Sequence, residues 1–404
     1  MIADTLKGRD FVIVGIQSID DEVGNIKNIA YEIAKNNRVV FVHLPVDRIT
    51  YLRSKHNPSI KKKLEVLKGK REALEKVGEN LWSYYPRIIT ESINWIKAAS
   101  AFDFLNKINS KRFAKEIQKA IKLLGFNNVI LINDNDFFRS QYLKEFLEPH
   151  LNIYYMRDYF TYLSYWKTHG ERLEPQLIEK TDLAVTNSIF LTNHCKKYNE
   201  NAYYVGQGCD LSLFTKEKVK PTPNDIAPIP RPIIGYVGSL VYTRLCIDTI
   251  SYIANERKDW NLVFIGPEDE VFKNSKLHEL PNIFFLGKKP ISEAPTYLDH
   301  FDVCINPQLI NINTVGNYPL KIDEYLAMGK PVVATETEAM EIFKDHVHLA
   351  KDKEDYILKI EKALSEINNE ELQTERRKFA ASHSWENNVK EIYKAIIALE
   401  AKYN

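Results

Sequence analysis

The sequence predicts an α/β protein with two Rossmann-like, doubly wound domains, each a parallel sheet covered by helices. Its 404 residues exceed the roughly 250 to 300 at which a single core stops growing. Its apolar runs are short and continuous, as in strands buried on both faces. A strand–helix series also occurs twice, on either side of a proline-rich segment. We therefore expect ligands at the carboxyl ends of the strands and in a central cleft between the domains.

The first series begins with the apolar strand 11–14, which ends at Gly15. Helical spacing of apolar residues over 25–35 and a second strand at 39–42 follow. The same order predicts further strands at 128–132, 153–155 and 183–185. Residues 186–188 read Thr-Asn-Ser, which is typical of a helix cap.

Five prolines between Lys218 and Pro232 predict an extended linker or lead-in, because proline fixes the backbone and removes a donor. The second series follows, with predicted strands at 233–237, 261–265, 283–285, 302–305 and 332–334, and predicted helices at 248–255, 294–300 and 321–328. We place the first domain at 1–212 and the second at 213–385. The last helix, 386–404, is expected to pack back on the first domain.

The overall charge argues against a nucleic-acid partner, since 55 basic side chains face 54 acidic ones. Four cysteines without paired spacing indicate reduced thiols, and the N-terminus lacks a signal-peptide pattern, so we expect a cytoplasmic protein. The basic segment Lys61–Arg71 is either a solvated helix or a peripheral contact with anionic lipid; Leu64, Leu67 and Leu74 have the spacing of an amphipathic helix. The histidines lack the spacing of metal ligands.

The segment 317–333 carries the clearest chemical pattern. Pro319 at the entry and Gly329 at the exit bracket a short helix whose N-terminus suits phosphate. Lys321 in its first turn is a candidate diphosphate ligand, the alternative being a solvent-facing pair with Asp323 or Glu324. Glu324 is placed to accept two hydrogen bonds from a ribose diol. Together these positions predict a nucleotide site.

The turn Gly238-Ser239 ends the first strand of the second domain, where a backbone approaches a ligand closely. Arg244, a few residues further, either reaches the same phosphates or is an ordinary exposed arginine. Neither a dinucleotide fingerprint nor Walker-type spacing is present, so NAD and P-loop chemistry are poorly supported.

The second half resembles the donor domain of glycosyltransferase family four, also called group one, and its teichuronic-acid-type branch. The residues that carry the likeness are 234–240, 259–267, 280–287, 301–304, 319–333 and 384–386. In the first half, 181–188 and 208–214 are similar more loosely, with Gln207 in place of the hinge motif's usual asparagine.

The resemblance implies the GT-B fold, and transfer of a sugar from a nucleotide diphosphate sugar to a glycan or lipid-linked acceptor in surface polysaccharide assembly, with no metal or other cofactor. It adds Gly287, Tyr318, Pro319 and Leu320 to the donor site. One departure is Gly316, which stands where the family has the first of two glutamates. It keeps open the alternative of an inactive nucleotide-sugar-binding partner. A GT-B epimerase, which would share the donor groove, is a second alternative.

On the acceptor side, Asp158 follows the strand at 153–155 and is the candidate catalytic base. The alternative is a helix cap or an ion pair with Arg157. Gly15, Asp20 and Asp21 follow the first strand and are expected to line the same side.

Overall fold

The computed structural model describes residues 5–21, 24–54, 57–311, 314, 316 and 318–403. The chain divides into two compact units. Unit 1 comprises residues 1–206 and 385–404, and unit 2 comprises residues 207–384. The chain therefore passes between the units six residues before the predicted position 212, and again one residue before the predicted position 385.

Unit 1 contains an eight-stranded sheet in the order β10-β9-β8-β7-β1-β2-β5-β4, with β3 and β6 forming a separate pair. Its neighbouring strands are parallel except for β4, which is antiparallel to β5. The strands are β1 (Asp10–Gly15), β2 (Arg38–His43), β3 (Val46–Asp47), β4 (Leu74–Lys76), β5 (Leu81–Tyr84), β6 (Ile89–Thr90), β7 (Ile130–Asp134), β8 (Leu151–Met156), β9 (Leu183–Thr186) and β10 (Ala202–Tyr204). The strand order reverses between β1 and β7, so a ligand crevice is expected at their carboxyl ends.

Helices cover both faces of this sheet. They are α1 (Asn25–Ala34), α2 (Arg48–Arg53), α3 (Lys61–Leu67), α4 (Ala99–Leu124), α5 (Leu143–Leu147), α6 (Ser164–Lys180) and α7 (Ile189–Lys196). On one face, Phe113 and Ile117 of α4 pack with Val12 and Val40 of the sheet. The predicted cap before α7 is present, since the Ser188 hydroxyl accepts a hydrogen bond from the Leu191 amide at 3.3 Å.

Unit 2 contains a six-stranded, fully parallel sheet in the order β13-β12-β11-β14-β15-β16. Its strands are β11 (Ile233–Val237), β12 (Asn261–Ile265), β13 (Ile283–Phe285), β14 (Val303–Asn306), β15 (Val332–Thr335) and β16 (His348–Ala350). Its helices are α8 (Ile247–Glu256), α9 (Glu270–Lys273), α10 (Ala294–His300), α11 (Leu320–Ala327), α12 (Lys353–Ser365) and α13 (Glu370–Ser382). The order reverses between β11 and β14, so a second ligand crevice is expected after β11.

The last helix, α14 (Trp385–Tyr403), belongs to unit 1. Its Ile392 and Ile396 pack with Ile29 of α1 and Phe11 of β1 in one buried cluster. This apolar stripe supplies the second cover of the sheet of unit 1. Two sheets, one mainly and one fully parallel, with helices on both faces confirm the predicted fold class.

Two local predictions need correction. Leu74 lies in β4, so the helix predicted through Leu64, Leu67 and Leu74 ends at Leu67. The proline segment lies inside unit 2, where Ile226 and Ile229 are buried in its core, so the segment is a packed lead-in and not a linker between units. Across the described ranges, no helix is long and apolar enough to cross a membrane.

Candidate functional site

The carboxyl edge of the sheet of unit 2 is built on three glycines that follow β11, β12 and β13. The Gly238 amide donates to the Ile265 carbonyl and the Gly266 amide to the Gly287 carbonyl, both at 2.9 Å. A Cβ on Gly266 would lie 1.9 Å from the carbonyl oxygen of Gly238, and φ of Gly266 is +152°. Glycine is therefore required at Gly266, and the edge presents backbone to any ligand that approaches it.

Lys321 lies directly beside this glycine edge. Its Cε is 3.1 Å from the position that a Cβ on Gly238 would take, and its ammonium lies 4.9 Å from the centre of the Tyr236 ring. Within the described part of the chain Lys321 has no ion pair, so the alternative pairing with Asp323 or Glu324 is not formed. The structure thus brings two predicted donor-site elements, the first turn of α11 and the turn after β11, into contact.

Glu324 lies one turn further along α11 and is half-buried. Burial raises the pKa of its carboxyl to about 7, with Lys321 opposing the shift and Asp323 adding to it. No hydrogen-bond or ion-pair partner of this carboxylate is found among the described residues. A partly buried carboxylate without a partner is costly, so the position is suited to a ligand that supplies hydroxyl donors.

A polar cluster that the sequence did not predict lies behind this helix. Asp323 is fully buried; it accepts a hydrogen bond from the Tyr318 hydroxyl at 2.7 Å, and its other oxygen lies 2.7 Å from Nδ1 of His383. Burial raises the pKa of Asp323, and His383 and Tyr318 lower it in part. The spacing of residues in the sequence predicts only that Asp323 lies on a helix. It does not predict the contact with His383, which lies 60 positions later. The predicted donor residue Tyr318 is therefore buried, with its hydroxyl used inside the protein.

The other predicted donor residues occupy separate places around α11. Pro319 is buried at the N-cap and Leu320 is half-buried as the first helical residue. Ser239 is exposed, and its carbonyl accepts a hydrogen bond from Tyr236. Gly316, which replaces the family's first glutamate, lies buried in a turn.

Arg244 lies in an exposed loop after β11, and hydrogen bonds join this loop to the loop that follows β12. Within the loop, the Leu240 amide donates to the Pro267 carbonyl at 2.8 Å, and the Tyr242 amide donates to Asp269 at 2.8 Å. The guanidinium of Arg244 is exposed, and in the described ranges it has no side-chain partner. The loop is thus fixed while the side chain of Arg244 is left to solvent or ligand.

The carboxyl edge of unit 1 is organised around Arg157. Burial alone would lower the pKa of this guanidinium, but Asp134 and Asp158 raise it. Its Nε lies 2.8 Å from Asp134 and its Nη1 lies 2.7 Å from Asp158. Asp134 also accepts from the Ile16 amide, which joins the ends of β7 and β1 at the switch point. Asp158 is half-buried and forms the ion pair with Arg157 that is the alternative to its catalytic role.

The three predicted acceptor-side residues have internal contacts of their own. Gly15 is fixed by packing, because a Cβ would lie 2.2 Å from the Phe41 ring. Asp20 forms an ion pair with Lys62 at 2.7 Å and accepts from the Tyr85 hydroxyl. Asp21 accepts from the Ser18 amide at 2.9 Å. These contacts shape the loop after β1.

The basic segment Lys61–Arg71 is only partly available for a ligand. Lys62 pairs with Asp20, and Arg71 pairs with Glu65 and Glu75. Lys61, Lys68 and Lys70 are exposed. Elsewhere in the described ranges, no group of three or more His, Cys, Asp or Glu side chains is arranged to hold a metal ion. All four cysteines are free.

Two α/β units, each with a reversal of strand order in a mainly parallel sheet, fit the GT-B fold, and solved structures share it. Sucrose-phosphate synthase from Thermosynechococcus elongatus matches with a TM-score of 0.63 at 13% identity, over 98% of this chain and 100% of that one. Anabaena HepE in complex with UDP and glucose matches with a TM-score of 0.60 at 12% identity, over 96% and 100%. A trehalose-6-phosphate structure from E. coli, bound with UDP-2-fluoro glucose, matches with a TM-score of 0.66 at 11% identity, over 96% and 98%.

Residues 231–366 match the family model described as glycosyl transferases group 1. This segment is therefore similar to group 1 glycosyltransferases, which confirms the resemblance seen in the sequence. A relative is TuaH of Bacillus subtilis (strain 168), assigned provisionally as a teichuronic acid biosynthesis glycosyltransferase, with 26% identity over 224 residues. The match covers 52% of this chain and 56% of TuaH. This chain therefore spans little more than half the length of that relative.

Proposed function

We propose that this protein is a glycosyltransferase that moves a sugar from a nucleotide diphosphate sugar to an acceptor hydroxyl during polysaccharide assembly. Residues 231–366 match the model of group 1 glycosyl transferases, and the similar protein TuaH is assigned to teichuronic acid biosynthesis. The observation that carries the proposal is Lys321, which lies against Gly238 with no carboxylate partner in the described part of the chain. An unpaired ammonium at a helix N-terminus is unfavourable until an anion binds there.

In the proposed donor complex, the diphosphate lies between the first turn of α11 and the turn Gly238-Ser239. Lys321 and Arg244 provide cations, and the N-terminus of α11 adds its positive dipole end. Glu324 accepts hydrogen bonds from the ribose hydroxyls. Negative charge grows on the diphosphate as the sugar–phosphate bond breaks, so these groups stabilise the transition state more than the ground state.

The acceptor is assigned to unit 1, with Asp158 as the group that removes the proton of the attacking hydroxyl. Asp158 follows β8 at the carboxyl edge, where functional side chains collect in parallel sheets. Its ion pair with Arg157 orients one carboxylate oxygen and leaves the side chain half-exposed. Asp158→Asn is expected to abolish transfer while nucleotide binding persists, because the donor site lies in unit 2.

The experiment that tests the donor site is a thermal-shift panel of UDP, GDP, ADP and their sugars. A nucleotide that binds the folded protein raises its apparent melting temperature by mass action. We expect one base to give a shift that is lost in Lys321→Ala and Glu324→Ala. The matched controls are Lys258→Ala and Glu279→Ala, which remove exposed charges elsewhere in unit 2 and should retain the shift. A panel without any shift would contradict the proposed function.

One observation favours a second function, that of an inactive nucleotide-sugar-binding partner. Gly316 removes a carboxylate from the place where the family has its first glutamate. Slow release of free nucleotide from a nucleotide sugar by the purified chain, absent in Lys321→Ala, would identify an enzyme. Binding without any release or transfer would identify the partner protein, and inversion of the donor sugar without transfer would identify an epimerase.

Contact with a membrane forms a further part of the proposal. The exposed cations Lys61, Lys68 and Lys70 suit anionic headgroups, each charge near such a surface being worth about 1 kcal/mol. The wild-type protein is expected to sediment with vesicles that contain about 30% of the anionic lipid phosphatidylglycerol. The triple alanine variant of these three lysines is expected to stay in the supernatant.

A further inference from the structure

Unit 2 contains a polar cavity at the edge of its sheet that lies opposite to the proposed donor site. The volume of the cavity is about 200 Å³, and it lies between the segment 344–348, the end of α12 and the first half of α13. Because β16 begins at His348, the cavity lies at the amino end of that strand, whereas Gly238 and Lys321 lie at the carboxyl ends of the parallel strands. The cavity is therefore separate from the donor site.

A buried arginine lines this cavity with part of its hydrogen-bonding capacity unused. Arg376 is 4% exposed, and its Nη2 donates to Oε2 of Glu366. Its Nη1 is buried and has no hydrogen-bond partner in the part of the chain that the structure describes. Burial lowers the pKa of the guanidinium, and Glu366 opposes this shift. Because an unsatisfied charged donor in the interior is costly, the position favours an added acceptor.

Two lysines add positive charge at the mouth of the cavity. Lys362 on α12 is exposed and forms no ion pair within the described ranges. Lys344 is also exposed, and its ammonium lies 2.6 Å from the exposed carboxylate of Glu341. A surface pair of this kind contributes little free energy, so Lys344 can exchange its partner for an anion in the cavity. Together with Arg376, these lysines provide donors for an oxyanion.

The cavity is also lined by acids, which restrict the kind of anion that it can bind. Asp345 and Glu375 are exposed, and Glu366 is half-buried. With three acids and three cations, and with histidine counted as neutral, the lining has no net charge. An anion therefore gains little from the overall field of the lining, and its binding depends on matched hydrogen bonds.

Glu366 offers an acceptor for a hydrogen atom that the anion itself carries. Its Oε2 accepts from Arg376 and lies 3.1 Å from Nε2 of His348. Its Oε1 has no hydrogen-bond partner among the residues that the structure describes. A fully ionised oxyanion beside this oxygen would be repelled, whereas an anion with an O–H group donates a hydrogen bond to it.

We propose that this cavity binds inorganic phosphate in its hydrogen phosphate form. The phosphate oxygens accept hydrogen bonds from Arg376, Lys362 and Lys344, and the phosphate O–H group donates to Oε1 of Glu366. The mixed lining thus matches an anion that has both acceptors and a donor. Sulfate has the same shape but no hydrogen to donate, so Glu366 disfavours it. The site does not depend on the proposed transferase function.

The test is titration calorimetry of the full chain, prepared without phosphate or sulfate, at about pH 8. The probes are inorganic phosphate, sulfate and methyl phosphate. Near this pH hydrogen phosphate and sulfate both carry two negative charges, and a phosphate monoester has lost its last proton. Inorganic phosphate is thus the one probe of the three with an O–H group on its oxyanion. We expect it to bind at least about tenfold more tightly than the other two.

Variants then locate the bound phosphate. Arg376→Lys keeps a positive charge beside Glu366 but removes the second nitrogen donor, and it is expected to weaken phosphate binding about tenfold, as is Lys362→Ala. The matched control is Lys378→Ala, which removes an exposed cation of α13 outside the cavity and should bind phosphate as wild type does. Lys321→Ala weakens the proposed donor site and should leave phosphate binding unchanged.

Glu366→Gln tests the selectivity, which a purely structural role of this residue would not change. The glutamine amide keeps an acceptor for Arg376 and presents N–H donors where the carboxylate accepted. Sulfate affinity should therefore rise and phosphate affinity fall, until the two lie within about threefold of each other. Glu371→Gln, an exposed change on α13, should retain the wild-type preference for phosphate.

Four outcomes would overturn the proposal. Equal binding of phosphate and sulfate by the wild-type protein would mean that Glu366 accepts no hydrogen from the anion. Phosphate binding that is lost in Lys321→Ala and kept in Lys362→Ala would place the anion at the donor site. An Arg376→Lys protein that melts as wild type does and binds phosphate unchanged would exclude the arginine contact. If nucleotide binds but phosphate gives no heat, this proposal fails alone; if phosphate binds but no nucleotide does, the proposed function fails alone.

Discussion

Nδ1 of His383 lies 2.7 Å from Oδ1 of Asp323, and the Tyr318 hydroxyl donates to the other oxygen of the same carboxylate. His383 follows the end of α13, and its carbonyl accepts from the Cys209 amide at 2.8 Å. The buried carboxylate thus joins α11 to the segment after α13, and the backbone of His383 joins that segment to Cys209. The position of Lys321 and Glu324 on this helix depends on that connection.

Asp323→Ala is therefore expected to destabilise unit 2 by about 3 kcal/mol, because the change leaves the buried Tyr318 hydroxyl and the half-buried His383 ring without this acceptor. Urea denaturation followed by circular dichroism measures the loss. The control Asp345→Ala removes an exposed acid of the same unit and should change stability by less than about 0.5 kcal/mol. Equal stability of the two variants would show that the Asp323 cluster does not support the helix.

The glycine edge gives a second prediction. Gly266→Ala is expected to cost about 3 kcal/mol and to abolish nucleotide binding, since its methyl group would overlap the backbone of Gly238. Gly287→Ala is the matched change, with a left-handed φ of +68° but no atom within 4 Å of the added carbon. It should cost about 1 kcal/mol, the strain of that backbone region. Similar costs in urea denaturation would refute the steric argument.

Much of the fold was predictable because strands buried on both faces appear as continuous apolar runs. The runs at 11–14, 233–237 and 261–265 correspond to β1, β11 and β12. Helix α4, with 26 residues, was not predicted. Its buried face includes Asn106, Ser110 and Glu116, which interrupt the apolar spacing that identifies a helix.

The candidate site was predictable only where its signals are local. Proline and glycine bracket α11, so Lys321 and Glu324 could be placed on one helix from spacing alone. The contact of Lys321 with Gly238 depends on the neighbouring ends of β11 and α11, and the phosphate site there stays a prediction. The Asp323–His383 pair and the cavity beside Arg376 join residues far apart in sequence, for which a single sequence holds no signal.

The raised pKa of Glu324 predicts a pH dependence of nucleotide binding. With a pKa of about 7, the carboxyl is about 10% ionised at pH 6 and about 90% at pH 8. Because the ionised form accepts the ribose hydrogen bonds, affinity for the nucleotide diphosphate should rise up to about tenfold across this interval. Glu324→Gln holds a neutral side chain at every pH, so its affinity should rise less. Titration calorimetry at pH 6, 7 and 8 compares the two proteins, and parallel curves would exclude Glu324 as the titrating ligand.

Glu174 provides the last prediction, on stability. It is buried in unit 1, accepts a hydrogen bond from the Tyr154 hydroxyl at 2.9 Å, and burial raises its pKa to about 8. In the unfolded chain an ordinary glutamate is already ionised above pH 6. The folded state therefore binds the extra proton, and its contribution to stability is present at low pH and is lost as the pH rises through 8.

The pH range in which Glu174 can be tested is set by the neighbouring His194, which lies 4.0 Å from it. Burial lowers the pKa of His194 to about 4, so stability contributed by its neutral form changes between pH 4 and 6.5 and is constant above that range. Between pH 6.5 and 8, Glu174 is expected to account for a loss of about 1.5 kcal/mol, which Glu174→Gln should remove. Glu171→Gln, an exposed change in the same helix, should keep the wild-type slope. Urea denaturation at four pH values measures these slopes; an unchanged slope in Glu174→Gln would mean that Glu174 is ionised in the folded protein.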